Sequence, residues 1–196
     1  VPTNGGLVNP AAEVGTVGPP EPVVLSGLFV NQSILDLPVA AEAVDFYAAY
    51  TGDIEVARTI MSRALEMQIP VNLAFALAWQ ESRYNTRAVS RPNPRGTKDW
   101  GLFQLNDGGR PDWTVEDFFD VEKNTQDALR YLDLCIREMG SIEMGLAAYN
   151  AGIYGVRQWG VPKSTQRHIR AVLSYEEELD RAFSFGLYRN QLRQDL

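Results

Sequence analysis

Glu81 is the acidic residue best placed to do chemistry, because it ends an unusually apolar segment. Residues 70–82 read PVNLAFALAWQES, which is apolar on nearly every helical face, as in a central helix enclosed by others. At helical spacing, Glu81 shares a hydrocarbon face with Leu77 and Ala78. Burial and the negative end of the helix dipole both raise the pKa of such a carboxyl. We therefore predict a protonated acid that can donate to a glycosidic or similar ether-type oxygen, the alternative being a glutamate bent out to solvent.

Other reactive residues are in short supply. One histidine and one cysteine exclude zinc sites built on several histidines and also cysteine clusters. No G-x-S-x-G elbow offers a serine nucleophile. Cys135 shares an apolar helical stripe with Ala128 and Leu132, which predicts a core residue more than a nucleophile paired with His168. A net charge of −7 argues against nucleic acid as a partner.

The elements that must position Glu81 are predicted to be helices. Helical patterns cover residues 39–50, 53–67, 70–82, 120–139, 141–152 and 164–194. Residues 84–112 are rich in Pro, Gly, Asn and Arg, and their length is typical of a functional loop. No apolar run reaches the ~18 residues that a membrane span needs. We therefore predict an all-α domain over residues 38–196, without a transmembrane segment.

The first residues differ in composition from the rest. Residues 1–28 contain ten Pro or Gly, above the ~25–30% associated with non-globular segments. We predict an irregular N-terminal arm over residues 1–37. The chain shows no basic segment followed by an apolar one, so we expect that any secretory signal has been removed or omitted, or never existed.

Three short blocks follow one another from Glu81 onward. They are Glu81-Ser82, the GLFQ block from Gly101 to Gln104, and the AYNAG block that contains Tyr149 and Asn150. In this order and spacing the blocks resemble the lytic transglycosylases with a lysozyme-like fold, whose members show E-S, G-L-M-Q and A-Y-N-A-G. The resemblance spans about residues 53–175. It implies an all-α domain of the goose-type lysozyme-like class.

The resemblance also implies roles for individual residues. Glu81 corresponds to the single catalytic acid, and the positions implied to contact substrate are Ser82, Ser90, Gly101, Gln104, Tyr149, Asn150 and His168. The implied substrate is the glycan strand of peptidoglycan, cleaved at the MurNAc-β-1,4-GlcNAc bond. Glu81 would act as acid and then as base, giving a 1,6-anhydro product without water, metal or cofactor. Because peptidoglycan lies outside the cytoplasmic membrane, we expect a periplasmic or envelope location, with the arm as a candidate contact for an envelope protein partner.

The chain departs from the family pattern at several positions. Phe103 stands where methionine is common, and residues 91–99 lengthen the connection that follows Ser90. In the segment where relatives show P-x-E-T-x-x-Y-V, Ser164 replaces a glutamate and His168 replaces a tyrosine that approaches the catalytic acid. A charged His168 would hold Glu81 ionised, so we hypothesise that activity falls when His168 is protonated.

The basic character of the segment after Glu81 has two interpretations. Residues 81–110 hold six Lys or Arg against three Asp or Glu. These cations could meet carboxylates of lactyl groups or stem peptides, or they could be scattered charges on a solvated loop.

Two other functions remain open from the sequence. One is a hydrolase similar to goose-type lysozymes, in which a loop aspartate (Asp99, Asp107 or Asp112) positions water. The other is a non-catalytic peptidoglycan-binding module.

Overall fold

The structure is a computed structural model that describes residues 38–194, so the predicted arm lies outside the described residues. The helices are α1 Pro38–Thr51, α2 Ile54–Glu66, α3 Val71–Ser82, α4 Val115–Phe119, α5 Val121–Met139, α6 Ile142–Ala151, α7 Ile153–Trp159 and α8 Lys163–Gln194. Two short strands, β1 Asp99–Trp100 and β2 Leu105–Asn106, pair antiparallel. The predicted all-α class is confirmed. Among the described residues, no helix has the length and apolarity needed to cross a membrane.

The helix boundaries follow from capping residues that are visible in the sequence. The Asp53 carboxylate accepts hydrogen bonds from the first backbone N–H groups of α2, and the Ser141 hydroxyl accepts one from the Met144 N–H in α6. Gly140 ends α5 in the left-handed conformation, with φ of +80°. These three positions confirm the predicted helix limits.

Helix α3 is the centre of the core. Residues 73–78 on this helix are fully buried, and α3 packs against α2 and α8. The rings of Phe75 and Tyr47 stack with centroids 3.9 Å apart, which joins α3 to α1. The end of α3 is therefore held in place by packing from several sides.

Helix α5 packs on α6 and carries the single cysteine. Cys135 is fully buried, and burial raises the pKa of its thiol to about 11. The prediction of a core cysteine is confirmed, and the thiolate needed for nucleophilic attack is disfavoured.

Four short elements were absent from the sequence prediction. Helices α4 and α7 have five and seven residues, too few for a periodic pattern to be recognised. Strands β1 and β2 interrupt the predicted loop 84–112, where Asp99 faces Asn106 and Trp100 faces Leu105. The prediction of a loop without strands was wrong here, because strands of two residues leave no alternating pattern to read.

Candidate active site

Glu81 lies one residue before the end of α3, and its side chain is 14% exposed. Burial raises the pKa of this carboxyl to about 8, and the negative charge of Asp99 acts in the same direction. The pKa shift has the direction expected from the sequence. At neutral pH the carboxyl therefore carries its proton and can act as an acid.

The chain turns sharply just after Glu81. Arg83 and Tyr84 both adopt left-handed backbone conformations, with φ of +57° and +61°. Such conformations are costly for residues other than glycine and persist where the surroundings hold them. The Arg83 guanidinium lies 4.4 Å from the centre of the Trp79 ring, and Tyr84 is buried beside Phe75. These contacts fix the direction in which the loop leaves the end of α3.

His168, on α8, faces Glu81. Its Nε2 lies 3.5 Å from Glu81 Oε1, longer than a good hydrogen bond, and this buried atom has no hydrogen-bond partner among the described residues. Burial lowers the pKa of His168, so the imidazole is neutral at neutral pH. A protonated carboxyl and a neutral imidazole thus face each other. The sequence had predicted that His168 approaches the acid, and the geometry agrees.

Tyr149 and Asn150, at the end of α6, lie on another side of the site. The Tyr149 hydroxyl donates a hydrogen bond of 3.0 Å to the Phe103 carbonyl. Burial raises the pKa of Tyr149 well above its ordinary value, and the charge of Glu81 raises it further, which places the two groups near each other. Asn150 is exposed, and its Oδ1 accepts a 2.7 Å hydrogen bond from Thr165 of α8.

Gly101 and Gln104 have structural roles in the loop that follows α3. Gly101 has φ of +75°, and a Cβ there would collide with the Phe118 carbonyl and the Asn124 side chain. The Gln104 amide donates to the carbonyl oxygens of Ala88 and Gly101, at 3.2 and 3.0 Å. Both residues therefore have structural partners inside the protein, and their contact with sugar stays a prediction.

Ser82 and Ser90 also bind neighbouring backbone. The Ser82 hydroxyl donates to the Ala78 carbonyl at 3.3 Å. The Ser90 hydroxyl accepts a 2.8 Å hydrogen bond from the Asp99 N–H and donates to the Arg91 carbonyl at 3.0 Å. The Ser90 N–H in turn donates to the Asp99 carbonyl at 2.9 Å. Ser90 and Asp99 thereby close the base of the 91–99 segment, and substrate contact by either serine stays a prediction.

Asn124 is a supporting residue that the sequence analysis missed. Its side chain is buried at 1% exposure, accepts from the Phe103 N–H at 2.9 Å, and donates to the carbonyls of Phe118 at 2.9 Å and Trp100 at 3.2 Å. Asn124 thus fixes the backbone of Phe103, whose carbonyl accepts the hydrogen bond from the Tyr149 hydroxyl. The sequence did contain a signal for it, because Asn124 lies four residues before Ala128 and so places a polar side chain on the apolar stripe of α5.

Asp99 is the loop aspartate that lies near Glu81. Its charge raises the pKa of Glu81, and its Oδ1 accepts a 2.8 Å hydrogen bond from Asn106. Asp107 binds the Trp100 indole N–H at 3.1 Å instead, and Asp112 is exposed. The sequence alone had left the choice among these three aspartates open.

A pocket of about 770 Å³ opens between the 91–99 segment and the end of α6, and its wall includes Arg95, Asp99, Asn106 and Asn150. Glu81 itself is not on this wall, but Asn150 of the wall is hydrogen-bonded to Thr165, one turn before His168 on α8, and His168 faces Glu81. Within the described residues, no group of three or more His, Cys, Asp or Glu forms a candidate metal site.

Comparison with known families gives one match. The model described as the Transglycosylase SLT domain matches residues 58–172, more than half of the chain. The matched segment runs from α2 into α8 and includes every residue predicted for the site. No solved structure matches the chain significantly.

Proposed function

The chain belongs to the Transglycosylase SLT domain family, and from this premise we propose that Glu81 is the single catalytic acid of a non-hydrolytic cleavage. At the level of the family, the domain is a lytic transglycosylase that acts on peptidoglycan. The bond we assign is MurNAc-β-1,4-GlcNAc, and the product ends in 1,6-anhydro-MurNAc.

One observation carries this proposal. The Glu81 carboxyl is enclosed at the end of an apolar helix, and burial raises its pKa to about 8. An ordinary glutamate is ionised at neutral pH and has no proton to give. Glu81 therefore fits the first step of the reaction, in which the leaving oxygen takes a proton.

The reaction uses the same carboxyl twice. Glu81 gives its proton to the glycosidic oxygen as the bond to MurNAc C1 breaks, and the 2-acetamido group of MurNAc stabilises the cationic centre at C1. The Glu81 carboxylate then takes the proton of the C6 hydroxyl while O6 bonds to C1. The proton count balances, and water is not consumed.

The surrounding residues are assigned supporting roles. We expect Tyr149 to line the cleft beside the acid, and Asn150 to contact sugar with the amide nitrogen that Thr165 does not bind. His168 lies 3.5 Å from Glu81 and would leave the acid protonated while it is neutral. The remaining predicted contacts to substrate are Ser82, Ser90, Gly101 and Gln104.

The proposed substrate also bears on location. Peptidoglycan is outside the cytoplasmic membrane, so we propose that the domain works in the periplasm or cell envelope. We further propose that residues 1–37 act as an arm separate from the catalytic domain.

The test is the mass of the product. Wild type and Glu81→Gln are incubated with purified glycan strands, and the released fragments are analysed by mass spectrometry. Wild type should release anhydro fragments, each one water lighter than a hydrolytic fragment, and Glu81→Gln should be slower by about 10²–10⁴-fold, the usual contribution of a general acid. Equal rates for the two proteins would refute the role of Glu81. If neither cleaves but both bind the strands, the domain is a binding module.

The position of Asp99 favours hydrolysis as a second candidate function. Its carboxylate is close enough to raise the pKa of Glu81, so the site holds two acids. In hydrolytic glycosidases a second carboxylate activates water or attacks the sugar. Fragments at the hydrolytic mass, lost in Asp99→Asn, would establish this function in place of the anhydro reaction.

A further inference from the structure

Most of the cationic side chains that follow Glu81 have partners in the structure. Those with an aromatic ring or a carboxylate as partner are Arg83 on Trp79, Arg87 on Phe119, Lys98 on Trp100 and Arg110 with Asp127. Arg91 and Arg95 are exposed and make neither kind of contact with the described residues. Among the cations of this segment, Arg91 and Arg95 are therefore the two that no aromatic ring or carboxylate of the described residues holds in place.

Arg95 differs from Arg91 in its position. Arg95 is on the wall of the 770 Å³ pocket, whereas Arg91 is not among its lining residues. The Asn93 side chain holds the backbone on both sides of Arg95, because its Oδ1 accepts from the N–H groups of Arg95 at 2.9 Å and Thr97 at 3.2 Å. Its Nδ2 donates to the Thr97 hydroxyl at 2.7 Å. The turn that carries Arg95 is thus formed before any ligand arrives.

The pocket combines amide groups with one cation and one anion. Asn106 and Asn150 supply amides, and Asp99 supplies a carboxylate that already accepts a hydrogen bond from Asn106. Amides suit hydroxyl and N-acetyl groups, while the planar guanidinium of arginine matches a carboxylate with two parallel hydrogen bonds. An anionic ligand here would be repelled by Asp99 unless Arg95 offset that charge.

We propose that this pocket binds a carboxylate carried by the muramoyl residue next to the cleaved bond, with the Arg95 guanidinium as its partner. The inference rests on the proposed function for the identity of the glycan. Two groups share this chemistry: the free lactyl carboxylate of a peptide-free strand, and a carboxylate of the stem peptide attached to the lactyl group. Asn150 on the pocket wall is hydrogen-bonded to Thr165, one helical turn before His168, which faces Glu81 at 3.5 Å. The substituent would therefore be bound while its own sugar reaches the acid.

The experiment measures binding without turnover. Three proteins are compared, each comprising residues 1–196. They are Glu81→Gln alone, Glu81→Gln with Arg95→Gln, and Glu81→Gln with Arg91→Gln as the matched control. The probes are peptide-bearing and peptide-free glycan strands, each also prepared with its carboxyl groups converted to methylamides. Dissociation constants are measured at low and at high salt.

We expect Arg95→Gln to weaken binding to carboxylate-bearing strands by about 3- to 10-fold, as for a partly exposed charged pair, and less at high salt. The ratio of the dissociation constants for methylamide and carboxylate strands should fall toward one. A loss confined to peptide-free strands would identify the lactyl carboxylate, and a loss confined to peptide-bearing strands would identify the stem peptide.

Several results would overturn the assignment. They are an unchanged dissociation constant in Arg95→Gln, an equal loss in Arg91→Gln, or a loss that persists on the methylamide strands. A failure of the proposed reaction can be distinguished from a failure of the pocket assignment. If the chain with Glu81 intact releases no anhydro product while Arg95→Gln still weakens binding, the pocket assignment stands and the proposed cleavage is refuted.

Discussion

The two sides of the Glu81 site are built by different forces. On the helical side, residues 73–78 of α3 are fully buried against neighbouring helices, and few polar groups are present. On the loop side, residues 88–110 are held by hydrogen bonds between side chains and backbone, including those of Ser90, Asn93 and Gln104. Hydrophobic burial is non-directional, whereas hydrogen bonds fix particular atoms in place.

This difference separates two properties of the site. The helical side removes water from Glu81 and so sets its affinity for the proton. The loop side forms most of the pocket wall, and the pairing of Ser90 with Asp99 closes the base of the 91–99 segment that carries Arg95. The pKa of Glu81 therefore depends mainly on burial at the end of α3, and Asp99 on the loop side adds a smaller contribution.

The largest expected effect comes from removing the buried asparagine that supports the backbone of the loop side. Asn124→Leu removes three hydrogen bonds and leaves the Phe103 N–H and the Trp100 and Phe118 carbonyls without their partner. We expect the free energy of unfolding to fall by roughly 4 kcal/mol, because buried backbone groups are costly to leave unpaired. Denaturant unfolding monitored by circular dichroism measures this change.

The matched control is the next residue on α5. Thr125 is fully buried, and its hydroxyl has no hydrogen-bond partner among the described residues. Thr125→Val should therefore change the free energy of unfolding by less than about 1 kcal/mol. Equal losses in Asn124→Leu and Thr125→Val would mean that the asparagine network does not support the loop.

The next effect concerns the helical side and depends on pH. In wild type the folded state holds the Glu81 proton up to about pH 8, whereas an ordinary glutamate releases it near 4.5. The contribution of Glu81 to wild-type stability should therefore be fully present below pH 4.5 and be lost as pH rises toward 8. Glutamine does not titrate, so Glu81→Gln should gain roughly 4 kcal/mol over wild type between those limits.

Thermal unfolding at a series of pH values measures this gain, with Glu42→Gln on the exposed face of α1 as the control. A stability difference between Glu81→Gln and wild type that is constant from pH 4 to 9 would show that Glu81 is not held protonated by burial.

A smaller effect comes from removing Asp99, the loop-side charge that acts on the pKa of Glu81. Asp99→Asn keeps an oxygen for Asn106 but removes the charge that helps to raise the pKa of Glu81. The alkaline midpoint of kcat/KM, expected near 8 in wild type, should move to lower pH. Exposed Asp112→Asn is the control, and a midpoint that moves equally in both variants would refute a specific effect of Asp99.

The smallest effect concerns His168. Its pKa is lowered by burial, so it charges only below its ordinary range, and the charged form would then hold Glu81 ionised. Wild-type kcat/KM should decline on the acid side, and His168→Tyr should lose that decline and be a few-fold more active at the lowest pH measured. A pH profile of His168→Tyr that matches wild type would remove this idea.

The sequence predicted the helical side well for a physical reason. Apolar periodicity and the caps Asp53, Ser141 and Gly140 are local signals, and together they define α2, α5 and α6. The burial of Glu81 followed from the same pattern, because the face around it is apolar. The contact between Glu81 and His168 was predicted from the family pattern and not from periodicity.

The loop side was much less predictable. Its shape depends on hydrogen bonds between residues far apart in the chain, such as Asn124 with Phe103, and no local pattern encodes these pairs. For the same reason the sequence offered three aspartates, and only the fold brings Asp99 near Glu81. Helix α7 was missed because its seven residues are too few for a periodic pattern to be recognised.

The central claim is that Glu81 is a buried acid that keeps its proton at neutral pH. The most direct measurement is a titration of the Glu81 carboxyl carbon by NMR in protein labelled at glutamate, with the signal assigned from Glu81→Gln. We expect a midpoint near pH 8. A midpoint near 4.5, the value of a solvated glutamate, would contradict it.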